Sequence, residues 1–587
     1  MAMVNGGELL IRALEHRGVR EVFALSGGHL DPMFQACLDH DFRLIDTRHE
    51  QAAAHMADGF ARTTGQPGVA IVTAGPGVTD AVTGVANAYM DCIPMICIGG
   101  RSPLRDEDKL PLQNLDQIAV MAPITKYART IFHPDRIPEY VATAYRHAVS
   151  GRPGPVFLDI PIDVLNTPIE ENDVPTFREV APIGRPTADP VAIERTLEVL
   201  ANAERPAIFA GGGAWFAGAG DELREFAELT RIPVLANAKA RGLVSERTPL
   251  GYGGFNLVGS PAVQAAAGEP PDVILMLGAR VGMYTGSSGE RQELIPDDAT
   301  LIQVDIEAEE IGRTRDVQIG LVGDVRETLR SLVAGARSHS FKDHERWIDA
   351  LGAARAAARS VPEDVKTNEA PPVHQVRLTD EINEFLGGEA IVIADGGDTS
   401  GWMGGQAVVE GGGRWMSHGY LGCLGVGIPF GLAAKVAHPY RQVLTIIGDG
   451  SVGLNFAEFD TAARHDLPIV VVVNNDQGWG MVRHGQISKY GGDRTAGVEL
   501  GATRYDLAAG GFGAHTEFVE EPSEIKPALE RAFASGKPAC INVLSDPTLS
   551  PRAYRAQQAG VEPPPQPPPA KAGDREVELP YYGRRRL

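Results

Sequence analysis

The chain reads as an α/β protein of three doubly wound parallel-sheet domains followed by a proline-rich extension. Short apolar runs alternate with helix-periodic stretches along most of its length, the pattern of parallel strands joined by helical crossovers. The apolar runs end repeatedly in Gly, Asp or Asn, as strands do where an open sheet binds ligands. Its 587 residues exceed what one hydrophobic core organises, so several domains are expected.

The first domain is placed at residues 1–170. Residues 6–18 form an amphipathic helix pattern closed by Gly18, and 19–25 a short strand that runs into the glycine turn Ser26, Gly27, Gly28. A helix over 32–40, a strand over 43–46 and a helix over 51–63 follow. The run 68–73 is continuously apolar, as a strand buried on both faces would be, and a Gly-Pro-Gly turn then opens a further helix. A linker rich in Pro, Asp and Glu spans 166–189. The second domain, 190–340, has strand patterns at 206–210, 273–277 and 301–304 and is Rossmann-like, although its glycine run Gly211, Gly212, Gly213 matches the nucleotide-binding fingerprint only weakly. Its strand ends would permit a nucleotide, while a purely structural role is the simpler reading. An alanine-rich helical stretch, 344–359, leads to the third domain, 371–548, with strands at 390–394, 442–447 and 469–473. The extension, 549–587, contains the semi-rigid run VEPPPQPPPA and ends in YYGRRRL.

Composition narrows the function. Apolar residues make up 43% and charged residues 22%, ordinary for a soluble globular protein. The net charge of −22 disfavours nucleic acid and anionic membranes as partners. No apolar run approaches the ~20 residues of a membrane span, and the N-terminus lacks a secretory pattern. Five cysteines without C-x-x-C spacing suggest neither zinc nor disulfides, so a cytoplasmic setting is expected.

The chemistry is concentrated in Gly448, Asp449, Gly450 and Ser451, directly after the apolar strand VLTII. A second strand, IVVVV, ends in Asn474, Asn475 and Asp476. Oxygen ligands from two strand ends, with the backbone carbonyl of Gly478, suit a hard cation such as Mg²⁺. Gly448 and Gly450 would let a diphosphate approach the backbone, at a helix N-terminus near Ser451. This spacing resembles the signature of thiamine-diphosphate (ThDP) enzymes. Counting from Asp449 puts the family's usual ligand asparagine on Asp476, with Asn475 the alternative. Glu50, where a helix begins after a strand, is by itself only a favourable dipole partner. In the ThDP family a glutamate in this place exchanges a proton with the cofactor's aminopyrimidine ring, and the resemblance implies that role for Glu50.

Over nearly its whole length the chain resembles the benzaldehyde lyase and 2-hydroxyacyl-CoA lyase family, through IDTRHE, VTAGPG, APITK, LMLGAR, HGYLGCLGVG, GDGSVG with EFDT, and PACINV. The resemblance implies aminopyrimidine-binding (PYR), central and diphosphate-binding (PP) domains in a homotetramer, with active sites at dimer interfaces. It implies that His29 faces the substrate, that Gln113 hydrogen-bonds substrate oxygen, and that His418 is a further proton acceptor. Gly75, Gly396 and Gly419 would line the cofactor, Gly422 would offer it a carbonyl, and Leu424 would be the apolar wedge beneath it. Ser26, Gly28 and Ser400 stand where benzaldehyde lyases are bulkier. Together with Arg584, Arg585 and Arg586 on the extension, a lid able to pair with coenzyme A phosphates, this favours a 2-hydroxyacyl-CoA substrate cleaved to formyl-CoA and an aldehyde or ketone. An acyloin such as benzoin is the alternative. Acetolactate synthase, oxalyl-CoA decarboxylase and a ThDP-binding protein without turnover rank lower.

Overall fold

In the computed structural model, residues 3–174, 184–253, 270–282, 295–492 and 494–558 are described. They form three six-stranded sheets, parallel throughout. The first runs, in spatial order, Arg43–Asp46, Glu21–Ala24, Gly68–Val72, Met95–Arg101, Pro155–Pro161 and Ala128–Thr130. The third runs Trp415–Ser417, Ile391–Asp395, Val443–Gly448, Val470–Asn475, Ala539–Leu544 and His515–Val519. Numbered along the chain within each domain, both orders are 2-1-3-4-6-5. The central sheet runs Gly251–Tyr252, Val234–Ala236, Pro206–Ala210, Val273–Leu277, Thr300–Asp305 and Ile319–Val322, the 3-2-1-4-5-6 order of doubly wound nucleotide-type folds.

The interior strands are buried along their length, which is why they read as continuous apolar runs rather than alternating ones. The expected elements are present with ends shifted by a few residues. Within the expected linker, Ile169–Glu170 pairs antiparallel with Met3–Val4 and Glu171–Asp173 forms a 3₁₀ turn. Residues 175–183 lie outside the described residues.

The first and third domains share one core. Helix Glu50–Thr64 is alanine-rich and packs against helix Gly427–Ala437 so closely that a Cβ on Gly59 would lie 2.8 Å from the Phe430 ring. One apolar cluster therefore runs from Phe23 and Ile45 through Ala57 and Phe430 to Ile447 and Val471. His55, fully buried in this seam, is held neutral by desolvation, with its pKa lowered to about 3. The central domain has separate cores of its own. Among the described residues, no helix is long and apolar enough to cross a membrane.

Candidate active site

The candidate site residues fall into two groups at strand C-terminal ends, one in the first domain and one in the third. In the first, Glu50 opens helix Glu50–Thr64, whose N-terminus is capped by His49 through its Nδ1, 3.0 Å from the Gln51 N–H. Glu50 is 8% exposed, and its Oε1 lies 3.3 Å from where a Gly77 Cβ would stand, so a side chain at 77 would crowd the carboxylate. Gly75 adopts φ +64° at the start of helix Pro76–Asp91, and a Cβ there would be 2.9 Å from the Gln113 side chain. The Gly75 N–H donates to Gln117 Oε1 at 2.7 Å, and Gln117 donates in turn to Asp159 at 2.6 Å and to the Gly100 carbonyl. Gln117 thus fixes the turn, a role its sequence context did not signal. His29, in the short 3₁₀ helix Gly28–Leu30, lies half-buried 3.5 Å from Thr73 Oγ1, and desolvation lowers its pKa. A Cβ on Gly28 would meet nothing within 4 Å, so the approach to His29 is open.

In the third domain, Asp449 and Asp476 stand buried beside one another at adjacent strand ends. Asp449 Oδ1 accepts from the Gly450 N–H at 3.0 Å and Oδ2 from the Gly478 N–H at 2.9 Å. Burial and the facing Asp476 raise its pKa to about 8. Burial also raises Asp476, against the pull of Arg483, whose Nη2 is 3.1 Å from its Oδ2. Two carboxylates buried side by side form a donor set suited to a divalent cation. Asn475 belongs to the strand and points inward: its amide bonds the Thr503 carbonyl at 3.1 Å and Asn542 Oδ1 at 3.0 Å, and its oxygen accepts from the Gln477 N–H. The side-chain geometry therefore favours Asp476 over Asn475 as a ligand.

The missing side chain of Gly450 makes room for Trp479, whose ring would be 2.6 Å from a Cβ. The short helix there is Asp449–Val452, so it begins before Ser451. Gly396, at φ +107°, lets the first strand end approach Gly448 and Ser451. Beside it Asp395, unnoticed in the sequence, is wholly buried and accepts from the Gly427 N–H at 2.8 Å; burial raises its pKa to about 7. The Ser400 hydroxyl donates to the Ala394 carbonyl at 2.9 Å. Gly211 and Gly213 pack against Gly278 and Ala279 so closely that neither position has room for a side chain.

The turn over 418–424 completes this half. Gly419 and Gly422 take φ of +78° and +68°, Gly422 and its surroundings are open, and Leu424 is half-buried. His418 has a buried Nδ1 without a partner among the described residues, the kind of orphan that a ligand satisfies, and desolvation lowers its pKa. No hydrogen bond among the described residues joins Glu50, His29 or Gln113 to Asp449, Asp476 or Gly478. Arg584, Arg585 and Arg586 lie outside the described residues.

Three family profiles match in succession: the thiamine pyrophosphate enzyme N-terminal TPP binding domain over 4–120, its central domain over 193–332, and its C-terminal TPP binding domain over 395–543. The chain belongs to the thiamine pyrophosphate enzyme family. The three sheets are thus the N-terminal, central and C-terminal domains of a ThDP enzyme. It is similar to a probable acetolactate synthase of Mycobacterium bovis, 36% identical over 93% of this chain and 97% of that protein. A probable acetolactate synthase large subunit of Methanocaldococcus jannaschii is 34% identical, over 93% and 92%. Human 2-hydroxyacyl-CoA lyase 2 is 30% identical, over 92% of this chain and 90% of its own.

Proposed function

We propose that this ThDP enzyme uses Mg²⁺ and cleaves, or in reverse forms, the carbon–carbon bond next to a carbonyl, with a 2-hydroxyacyl-CoA as substrate and formyl-CoA plus an aldehyde or ketone as products. The observation that carries the cofactor half of this reading is the buried pair Asp449 and Asp476 beside Gly478. The open approach at Gly28 and the small Ser26 and Ser400 support a bulky substrate. Bound to these residues, ThDP supplies a nucleophilic carbon and a sink for the electron pair of the broken bond.

The chain's own groups divide the remaining work. Asp449 and Asp476, with the Gly478 carbonyl, hold the metal. Glu50, almost sealed from solvent, holds the proton exchanged with the cofactor ring. Burial lowers the pKa of both His29 and His418 and so favours the neutral ring, the form that accepts the proton of a substrate hydroxyl. Gln113 donates its amide to substrate oxygen. We place the two halves of each complete site on two copies of the chain, in a homotetramer, in keeping with the absence of any hydrogen bond among the described residues between the Glu50 and Asp449 groups.

Acetolactate synthesis is the second reading, favoured by relatives at 34% and 36% identity that carry that name. One assay separates the readings: with ThDP and Mg²⁺, the purified protein is offered a short 2-hydroxyacyl-CoA, benzoin or pyruvate. Formyl-CoA with a released carbonyl supports the proposal. Benzaldehyde from benzoin alone makes it an acyloin lyase, and acetolactate from pyruvate alone replaces the proposal with the second reading.

A further inference from the structure

An ionic quartet, three of its members buried and Lys239 partly so, lies directly behind the turn that carries His418 and Gly419. Asp58 and Arg62 sit one helical turn apart on Glu50–Thr64, joined at 2.6 Å. Arg62 Nη1 reaches Asp91, at the end of the next helix, at 2.7 Å. Lys239 of the central domain approaches Asp91 from the other side, with Nζ 3.4 Å from Oδ1. Asn87 adds an amide donor to Asp58 at 2.7 Å. Two carboxylates and two cations balance, so the cluster is neutral as a unit. Burial disfavours the Asp91 anion, but Lys239 and Arg62 outweigh it and hold the pKa well below the ordinary range.

The free side of Asp91 is spent on the turn. Its Oδ1 accepts from the Tyr420 N–H at 3.1 Å, and a Cβ on Gly419 would lie only 2.0 Å from Oδ2, so the glycine backbone rests flat on the carboxylate. Arg280, also of the central domain, stands over the Tyr420 ring at 4.9 Å and donates to the Met90 carbonyl at 2.6 Å. The turn of the third domain is thereby held by a carboxylate of the first and two cations of the second.

We infer that Asp91, Lys239 and Arg280 are positioning residues that set the turn over 418–424 for the cofactor, so that the central domain governs how tightly ThDP is held. This rests on the reading that the turn contacts ThDP. Hydrogen-bonded groups one shell behind a ligand change its affinity by about 10–100-fold when removed, and an unpaired charge left buried is costly in either direction.

The test measures ThDP binding to the full-length protein with Mg²⁺, by calorimetry or tryptophan quenching, alongside the melting temperature of the ThDP-free protein. Lys239→Met is expected to raise the ThDP dissociation constant about 10–100-fold, with Lys239→Arg recovering most of the loss. Arg280→Met, which leaves the quartet intact, is expected to weaken ThDP in the same direction and keeps the test available if Lys239→Met does not fold. Leu424→Ala probes the turn without touching the quartet. If Leu424→Ala loses affinity while Lys239→Met and Arg280→Met bind ThDP like the wild type, whatever their melting temperatures, the inference is overturned alone. If Leu424→Ala also binds normally, the turn does not hold the cofactor and the inference falls with that reading.

Discussion

Glu458 is a wholly buried carboxylate at the seam between the first and third domains, and its replacement by Gln has a calculable consequence. It accepts the Arg48 N–H at 3.1 and 3.2 Å and the Thr461 hydroxyl at 2.6 Å, and so anchors the residues leading into Glu50. Burial raises its pKa from 4.5 to about 7. Between those two values the folded chain keeps a proton that the unfolded chain releases, so the stabilisation is complete below pH 4.5 and is lost as pH rises through about 7. The loss amounts to about 3 kcal/mol. With an unfolding entropy of ~2.1 cal/mol/K per residue, that corresponds to roughly 2–3 °C in the melting temperature of a chain this long. Gln accepts the same N–H but does not titrate. The melting temperature of Glu458→Gln minus that of the wild type, measured on ThDP-free protein by scanning fluorimetry, should therefore grow by about 2–3 °C from about pH 5 to pH 8. A difference that stays flat or shrinks over this range would refute the argument that Glu458 carries a proton in the folded state.

Glu50→Gln should lower turnover by about 10²–10⁴-fold while ThDP, followed by tryptophan quenching, still binds; near-normal turnover would remove Glu50 from the proton exchange. Asp476→Ala should abolish Mg²⁺-dependent ThDP binding, whereas Asn475→Ala should keep it and lose about 1–3 kcal/mol of stability, because the buried Asn542 Oδ1 loses its donor while the Thr503 carbonyl keeps the Asn542 amide. The reverse outcome would make Asn475 the ligand. Gly419→Ala combines a left-handed φ of +78° with a Cβ 2.0 Å from Asp91 and should weaken ThDP more than Leu424→Ala does, as read by calorimetry.

What the sequence revealed and what it concealed follow from how far each signal reaches along the chain. Buried parallel strands announce themselves as short apolar runs, so Pro206–Ala210 and Val273–Leu277 coincide with their expected limits. Asp449 was legible because a strand end, a glycine turn and a carboxylate are contiguous. Asp476 emerged by counting, but the choice between it and Asn475 depends on which side chain points into the sheet, and Asn542 and Thr503, which decide it, lie far along the chain. Asp91, Arg62 and Lys239 formed no motif, since their meaning arises only when three domains converge. Gln117 carried no signal along the chain, because its partners Gly75, Gly100 and Asp159 are far from it in sequence. The Trp479 ring that packs over Gly450 was not legible, because a glycine beside an aromatic ring and a glycine in an open turn look alike in one dimension.

The core shared by helices Glu50–Thr64 and Gly427–Ala437 has a consequence for how the protein is made. The first helix leaves the ribosome about 360 residues before the second, which at ~5–20 residues per second is a wait of roughly 20–70 s. During that interval the apolar face later covered by Phe430 and its neighbours stays uncovered, and Asp91, which shares Arg62 with Asp58, awaits Lys239 to balance the quartet. The nascent amino-terminal third is thus an open surface that chaperones can engage, and it becomes sealed only when the far end of the same polypeptide arrives.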